Sequence, residues 1–234
     1  HLMTEVLPLE QPVAATASGP IKIGLMATFQ GRLEMPALAL RDGARMAVKE
    51  AAGMEEMKGR SFELVVANDY GDPQKAAQEA RRLIEEEGVK AILGPVDSDC
   101  ALAVVPIVTA ARVPMITLAG YPGLTRPVNK YVFRGAMSDD TEGKLIADYA
   151  TIMMGAGEFA IFHEDSSYGK AGMEVVRKRL RRVGRDPVAI ESYPSGGIDF
   201  RAQMARFKAA EVKTIIVYGT LVDALMVMQS IRME

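Results

Sequence analysis

Apolar residues along this chain fall in short runs, separated by longer stretches in which they recur every three or four positions. That is the alternation of buried strands with one-sided helices. The clearest unit is Glu87 to Gly120, EGVKAILGPVDSDCALAVVPIVTAARVPMITLAG. Val89 to Leu93 is an apolar run that stops at Gly94-Pro95, a pair that cannot continue a strand interior. Asp97 or Ser98 then caps a helix whose apolar residues Ala101, Val104, Val105 and Val108 share helical spacing, and Pro114 ends it before a strand over Met115 to Leu118. Strand, helix and strand in that order make a parallel crossover, and open parallel sheets bind small ligands outside the carboxyl ends of their strands. That edge carries Ser98, the free amides of the turn and the loop Ala119 to Gly123, which makes it the first candidate site.

The same reading extends along the chain. Residues 1 to 20 are rich in Pro, Ala, Thr and Ser without periodicity, the pattern of a flexible leader. Strands are expected over Ile21 to Met26, Phe62 to Ala67 and Tyr131 to Arg134. Helices are expected over Met35 to Ala52, with Pro36 in its first turn, over Gln74 to Glu87 after the turn NDYGDP, and over Asp140 to Met154. The alternation then restarts, with strands Phe159 to His163, Val188 to Tyr193 and Thr214 to Tyr218, and helices Gly169 to Val183, Phe200 to Ala210 and Leu221 to Arg232. The expected fold class is therefore α/β, two lobes with parallel sheets: residues 21–138 form lobe one and 139–234 an incomplete lobe two. Three strands make a thin sheet, and a final helix carrying Met226 and Met228 leads us to expect more chain beyond it.

Composition narrows the function classes. The 234 residues are 49% hydrophobic and 25% charged, enough for one large or two smaller cores. A formal charge of -2, with no basic run that could track phosphates, gives no electrostatic case for nucleic acid or a lipid surface. No apolar stretch approaches the roughly 20 residues of a membrane span. His1-Leu2 ahead of Met3 reads as a cloning remnant, so the missing signal peptide says nothing of location. Cys100 is the only cysteine and cannot form an internal disulfide.

No catalytic or cofactor-binding pattern emerges, and no metal site. His163 is the only histidine beyond the leader, there is no glycine-rich nucleotide loop or nucleophile elbow, and Ser98 without a base is a poor nucleophile. The basic run from Arg177 to Arg185 reads as a solvated helix face.

A set of segments in fixed order carries a family resemblance: IKIGLMATF, RDGARMAVKEA, NDYGDP, GPVDSDCALAVVPI, VPMITLAG, YVFRGAMSDDTEG, EDSSYGKAG and SYPSGGIDFRAQMARFKAAEVKTIIVYG. From Ile21 to Glu234 the chain resembles the periplasmic substrate-binding proteins of branched-chain amino acid ABC transporters, the type I periplasmic binding protein fold. The resemblance implies two Rossmann-like lobes joined by a three-stranded hinge and closing on a small ligand. It also implies that the rest of lobe two, and the strands that return to lobe one and the hinge, lie beyond this chain. Without those strands, exposed apolar surface is expected on lobe one.

The family's ligand contacts fall on Ser98, on Ala119, Gly120 and Tyr121, on Asp139, and on Tyr168 from lobe two. A hydroxyl and amides at a helix N-terminus suit a carboxylate, an acidic group suits an ammonium, and an aromatic ring can cover an aliphatic side chain. Each has a plainer alternative: Ser98 and Asp139 as helix caps, Tyr168 as packing.

Departures from the family pattern shift the expected specificity. Tyr121 replaces a frequent threonine and Leu221 a ligand-contacting tyrosine, while Asp97 and Asp99 would repel a carboxylate unless they point away. Gln30-Gly31-Arg32 replaces a small polar loop, so Arg32 either pairs an acidic ligand or is a solvated loop residue.

The function implied is capture of an amino acid or related carboxylate and its delivery to an ABC transporter permease, with no cofactor and no catalysis. The basic helix face is then a lesser candidate for docking a transporter subunit. The alternatives are a sensing domain of a receptor, a cytoplasmic amide-responsive regulator of the same fold, or an enzyme depending on Ser98 or His163. The implied location is periplasmic or extracellular, compatible with a membrane tether at a removed N-terminus.

Overall fold

The computed structural model describes residues 19–233, so residues 1–18, and with them most of the expected leader, lie outside the described residues. The first lobe is built from β1 (Ile21–Ala27), α1 (Glu34–Ala52), β2 (Phe62–Asn68), α2 (Pro73–Arg81), β3 (Ala91–Leu93), α3 (Ser98–Ala111), β4 (Met115–Thr117) and β5 (Val132–Arg134). Its five strands are all parallel, in the order β2-β1-β3-β4-β5. The chain steps one way from β1 to β2 and the other way thereafter. Right-handed crossovers therefore put α1 on one face and both α2 and α3 on the other.

The two faces differ sharply. Under α2 and α3, Ile92, Met115 and Val132 are paired in register and buried with Ala76, Leu83, Val104 and Val108. One residue along, Val66, Leu25, Leu93, Ile116 and Phe133 form a straight row on the opposite face. Within that row only Leu25 of β1 is buried; Val66 is 39%, Ile116 43% and Phe133 52% exposed. This is the apolar surface anticipated on lobe one.

The second lobe contains α4 (Asp139–Asp148), β6 (Phe159–Glu164), α5 (Ser167–Arg182), β7 (Ala189–Tyr193), α6 (Arg201–Ala209), β8 (Thr214–Tyr218) and α7 (Leu221–Met233). Its parallel sheet has the order β7-β6-β8. Every residue of the central strand β6 is buried, because helices cover both faces. Phe159 and Ile161 pack with Val176 and Leu180 of α5, while Ala160 and Phe162 pack with Phe200, Met204 and Phe207 around α6. Phe162 makes edge-on contacts with Tyr193, Phe200 and Phe207 at centroid distances of 4.8, 5.6 and 5.5 Å.

Element ends depart from expectation where a polar group intervenes. The helix expected to Glu87 is α-helical to Arg81 and continues as a π-helical turn over Arg82–Glu86. The Val89 amide bonds back to the Leu83 carbonyl, so β3 starts later than its apolar run. Helix α5 starts earlier than Gly169, because Ser166 accepts the Gly169 amide and serves as N-cap.

The aromatic contacts set a contrast that denaturation can test. Phe162→Ala is expected to cost about 3–5 kcal/mol in a urea titration, and Phe133→Ala less than about 1 kcal/mol. Equal losses would contradict the exposure of the Ile116–Phe133 row.

Candidate functional site

The carboxyl ends of β1, β2, β3 and β4 converge on one edge of lobe one. At β3 the chain turns through Gly94, whose φ of +92° a side chain would strain and whose Cβ would lie 1.9 Å from the Met26 carbonyl oxygen. The turn delivers Asp97 to the start of α3, where its carboxylate accepts the amides of Asp99 and Cys100, both at 2.9 Å. Asp97, not Ser98, is therefore the cap, and the buried Ser98 hydroxyl is not spent on that role. Nearby, the buried Asp69 accepts Thr28 Oγ1 at 2.5 Å and the Gly71 amide at 2.9 Å. Its second oxygen has no partner, and burial raises its pKa.

After β4 the loop is held from within. Thr117 Oγ1 donates to the Pro95 carbonyl at 2.7 Å and accepts the Ala119 amide at 3.0 Å. The Ala119 amide is thus engaged within the loop. Arg134 Nη1 binds the carbonyls of Gly120 and Tyr121 at 2.9 and 3.0 Å and so fixes the loop from β5.

Asp139 opens α4, where the chain leaves the first sheet for the second. Ser138, not Asp139, caps this helix. The Asp139 side chain is 0% exposed, and neither carboxylate oxygen has a hydrogen-bond partner. It lies against Gly120 so closely that a Cβ there would stand 2.1 Å from Asp139 Oδ1. Burial, with Glu142 adding repulsion, pushes its carboxyl up to about 7 despite the opposing charge of Arg134. The neighbouring Tyr218 hydroxyl donates to Glu142 Oε2 at 3.0 Å, and Tyr168 reaches the same oxygen at 3.4 Å. The two tyrosine rings pack at 5.0 Å, and burial raises the pKa of both hydroxyls.

Lobe two meets this edge with two carboxylates, Glu164 at the end of β6 and Asp223 in α7. Arg32 crosses from the loop after β1, its Nη1 2.8 Å from Glu164 Oε1 and 3.8 Å from Asp223 Oδ2. The same nitrogen is 3.3 Å from Thr220 Oγ1, and Arg32 Nη2 is 3.8 Å from Asp97 Oδ2. Asp99 accepts the Ser167 amide at the start of α5 at 3.4 Å.

Comparison with known proteins places this arrangement. The family profile described as periplasmic binding protein matches residues 20–232. The chain belongs to the periplasmic binding protein family. Among relatives, a Leu/Ile/Val-binding protein homolog of Brucella melitensis is 27% identical over 207 residues, covering 88% of this chain and 56% of the relative. The chain thus spans a little over half the length of the curated relatives it matches. Among solved structures, the branched-chain amino acid transporter substrate-binding protein LivJ of Streptococcus pneumoniae, in complex with isoleucine, superposes with a TM-score of 0.81 at 29% identity. That match covers 92% of this chain and 61% of LivJ. A Rhodopseudomonas palustris solute-binding protein in complex with 4-hydroxybenzoate shares the fold at a TM-score of 0.76 and 24% identity, covering 86% of this chain and 54% of the other.

In this periplasmic binding protein the strand ends bring Ser98, Ala119, Gly120, Tyr121 and Asp139 to one edge. Tyr168 faces them through Glu142, packed into the core of lobe two. Arg32 is not a solvated loop residue: its side chain is 21% exposed and lies within 4 Å of Glu164, Asp223 and Asp97. Glu164 and Asp223 are the residues that sequence reasoning missed. Glu164 had a signal, an acid closing a strand whose first four residues are apolar, where burial without a partner is costly. His163 is buried, with Nδ1 2.9 Å from the Glu164 carbonyl oxygen. The basic face of α5 is knitted to acids: Arg177 and Lys178 to Glu174, Arg179 to Asp148, and Arg181 to Asp186. Two concavities of 430 and 420 Å³ flank α3, lined by residues such as Leu124, Tyr131, Ile84 and Pro106, and neither includes a site residue. Among the described residues, no three His, Cys, Asp or Glu side chains form a group that could hold a metal, and no helix is long and apolar enough to cross a membrane.

Asp139 makes stability depend on pH. Its folded pKa lies above the unfolded value of about 3.9, so the folded chain keeps a proton that the unfolded chain has lost, and stability falls as pH rises toward 7. Asp139→Asn removes this dependence. The melting temperature of the parent relative to the variant is expected to fall between about pH 5 and about pH 8. A difference that stays flat across that range would contradict the assignment.

Proposed function

We propose that this chain captures a small amino acid between its two lobes and releases it unchanged, as the solute-binding component of an ABC transporter. Residues 21–138 and 139–234 serve as the two halves of the trap. Asp139 carries the reading. A carboxylate buried with both oxygens unpartnered is costly to keep charged, and a ligand ammonium seated on it would supply the missing hydrogen bonds and counter-charge. On the same sheet edge, Ser98 and the N-terminus of α3 offer a hydroxyl and a positive dipole end to the ligand's carboxylate. Asp97 does not oppose it, being engaged with backbone amides and facing Arg32, and Asp99 is turned to Ser167. The names of LivJ and of the Leu/Ile/Val-binding relatives support an aliphatic amino acid. Tyr121 and the ring pair Tyr168–Tyr218 supply apolar walls for its side chain.

The same kinship supports a permease partner and a periplasmic or extracellular location, and the mechanism is a population shift. Solute held on lobe one gains contacts that only the closed form completes, so its differential affinity favours closure.

A thermal shift screen tests the proposal. A solute at a hundred times its dissociation constant adds about 2.7 kcal/mol to stability. Aliphatic amino acids are expected to raise the midpoint of the parent chain, and Ser98→Ala and Asp139→Asn to lose most of that rise. A rise confined to aromatic carboxylates, or one that survives both substitutions, would overturn the assignment.

A further inference from the structure

Arg32 stands out as the cation shared by both lobes. Glu164 and Asp223 are nearly sealed from solvent, their side chains 1% and 2% exposed, yet each has an oxygen within 4 Å of the same Arg32 nitrogen. Among the described residues, lobe two offers these acids only neutral donors. Ser195 Oγ hydrogen-bonds Glu164 Oε1, the Thr220 amide lies 3.4 Å from Glu164 Oε2, and the Gly196 amide lies 3.4 Å from Asp223 Oδ2. Among the described residues, Arg32 is the only cation paired with either acid. It belongs to lobe one, on the short helical turn Gly31–Leu33, where Asp97 steers its second nitrogen from 3.8 Å.

We propose that Arg32 is an ionic latch: seated between Glu164 and Asp223, it holds lobe one against lobe two and so sets how fast a solute leaves the cleft. The physical reason is asymmetric. A buried ion pair adds little over a well-packed apolar contact, but removing one partner leaves uncompensated buried charge. Here that removal leaves two facing carboxylates, which repel each other until the lobes part and water reaches them. A planar guanidinium suits the role because separate N–H groups can engage Glu164, Thr220 and Asp97 together, whereas a lysine ammonium is a single point charge. The other cleft-spanning contact of the α3 start, Asp99 with the Ser167 amide, is long at 3.4 Å and closes nothing by itself.

The latch is testable without any solute. Spin labels at K49C on α1 and K178C on α5, both exposed positions, report the interlobe distance by pulsed electron resonance. Cys100 is buried, and burial raises its thiol pKa, so it resists labelling. The parent is expected to give one short, narrow distance, R32Q a longer and broader distribution, and R32K a distribution between them. D223N, which weakens the latch from the other lobe, is expected to widen the distribution as well, and it decides the matter should R32Q fail to fold. An unchanged distribution in a folded R32Q or D223N chain, even with a lowered melting temperature, overturns the latch.

The consequence for exchange rests on the proposed function. R32Q is expected to speed solute dissociation by about tenfold while leaving association within a few-fold. A chain that binds no amino acid but whose lobes part in R32Q removes the transport reading and leaves the latch standing. Binding with lobes that ignore R32Q does the reverse.

Discussion

Arg32 Nη1 lies 2.8 Å from Glu164 Oε1 in a place where water scarcely reaches, and the arrangement of the cleft depends on that contact. Parallel strands bring their carboxyl ends, and the turns that follow them, to one edge of each sheet. Two such edges facing each other gather polar side chains in a region that burial makes expensive for charge. The chain meets this cost in three ways. Glu164 and Asp223 share a cation from the opposite lobe. Asp97 and Asp69 accept backbone amides in turns and caps. Asp139 does neither, and its carboxyl is pushed up to about 7. The first two solutions are structural, and the third leaves an acid suited to receive something else.

The sheet order makes this possible. Starting at β1 and stepping outward in both directions puts the β1 and β3 ends beside one another at the centre of lobe one, with the α3 N-terminus directly beyond. In lobe two the first strand, β6, is again central, which places Glu164 in the middle of its edge. Arg134 and Thr117 then stiffen the intervening loop, so that Gly120 presents its bare backbone to Asp139. A side chain at Gly120 would displace the Asp139 carboxylate, since its Cβ would stand 2.1 Å from Asp139 Oδ1.

How much of this was legible in the sequence follows from the range of the interactions. Strand and helix positions, and the parallel crossover from β3 to β4, rest on local periodicity and were readable from it; the strand orders and the covering of β6 on both faces depend on which elements meet and were not. The caps were legible only to within a residue. Asp97 and Ser98, or Ser138 and Asp139, are all good cap types, and backbone conformation decides between neighbours; Asp97 and Ser138 hold the extended φ and ψ of a cap. The burial of Glu164 had a local signal, but its pairing with Arg32 had none, because Glu164 and Asp223 lie far along the chain and no local pattern marks which charge will be met across a cleft. The exposed Ile116 and Phe133 illustrate the opposite limit, since an apolar strand run says both faces are meant to be covered but not what covers the second.

The most direct test of solute capture is a crystal structure of the chain grown with the amino acid that stabilises it most. The account predicts density between the lobes, with the carboxylate at Ser98 and the α3 N-terminus, the ammonium on Asp139, and the side chain against Tyr121 and Tyr168. Density instead in the concavity on the flank of α3, beside Leu124 and Tyr131, with the Asp139 carboxylate still unpartnered, would contradict it.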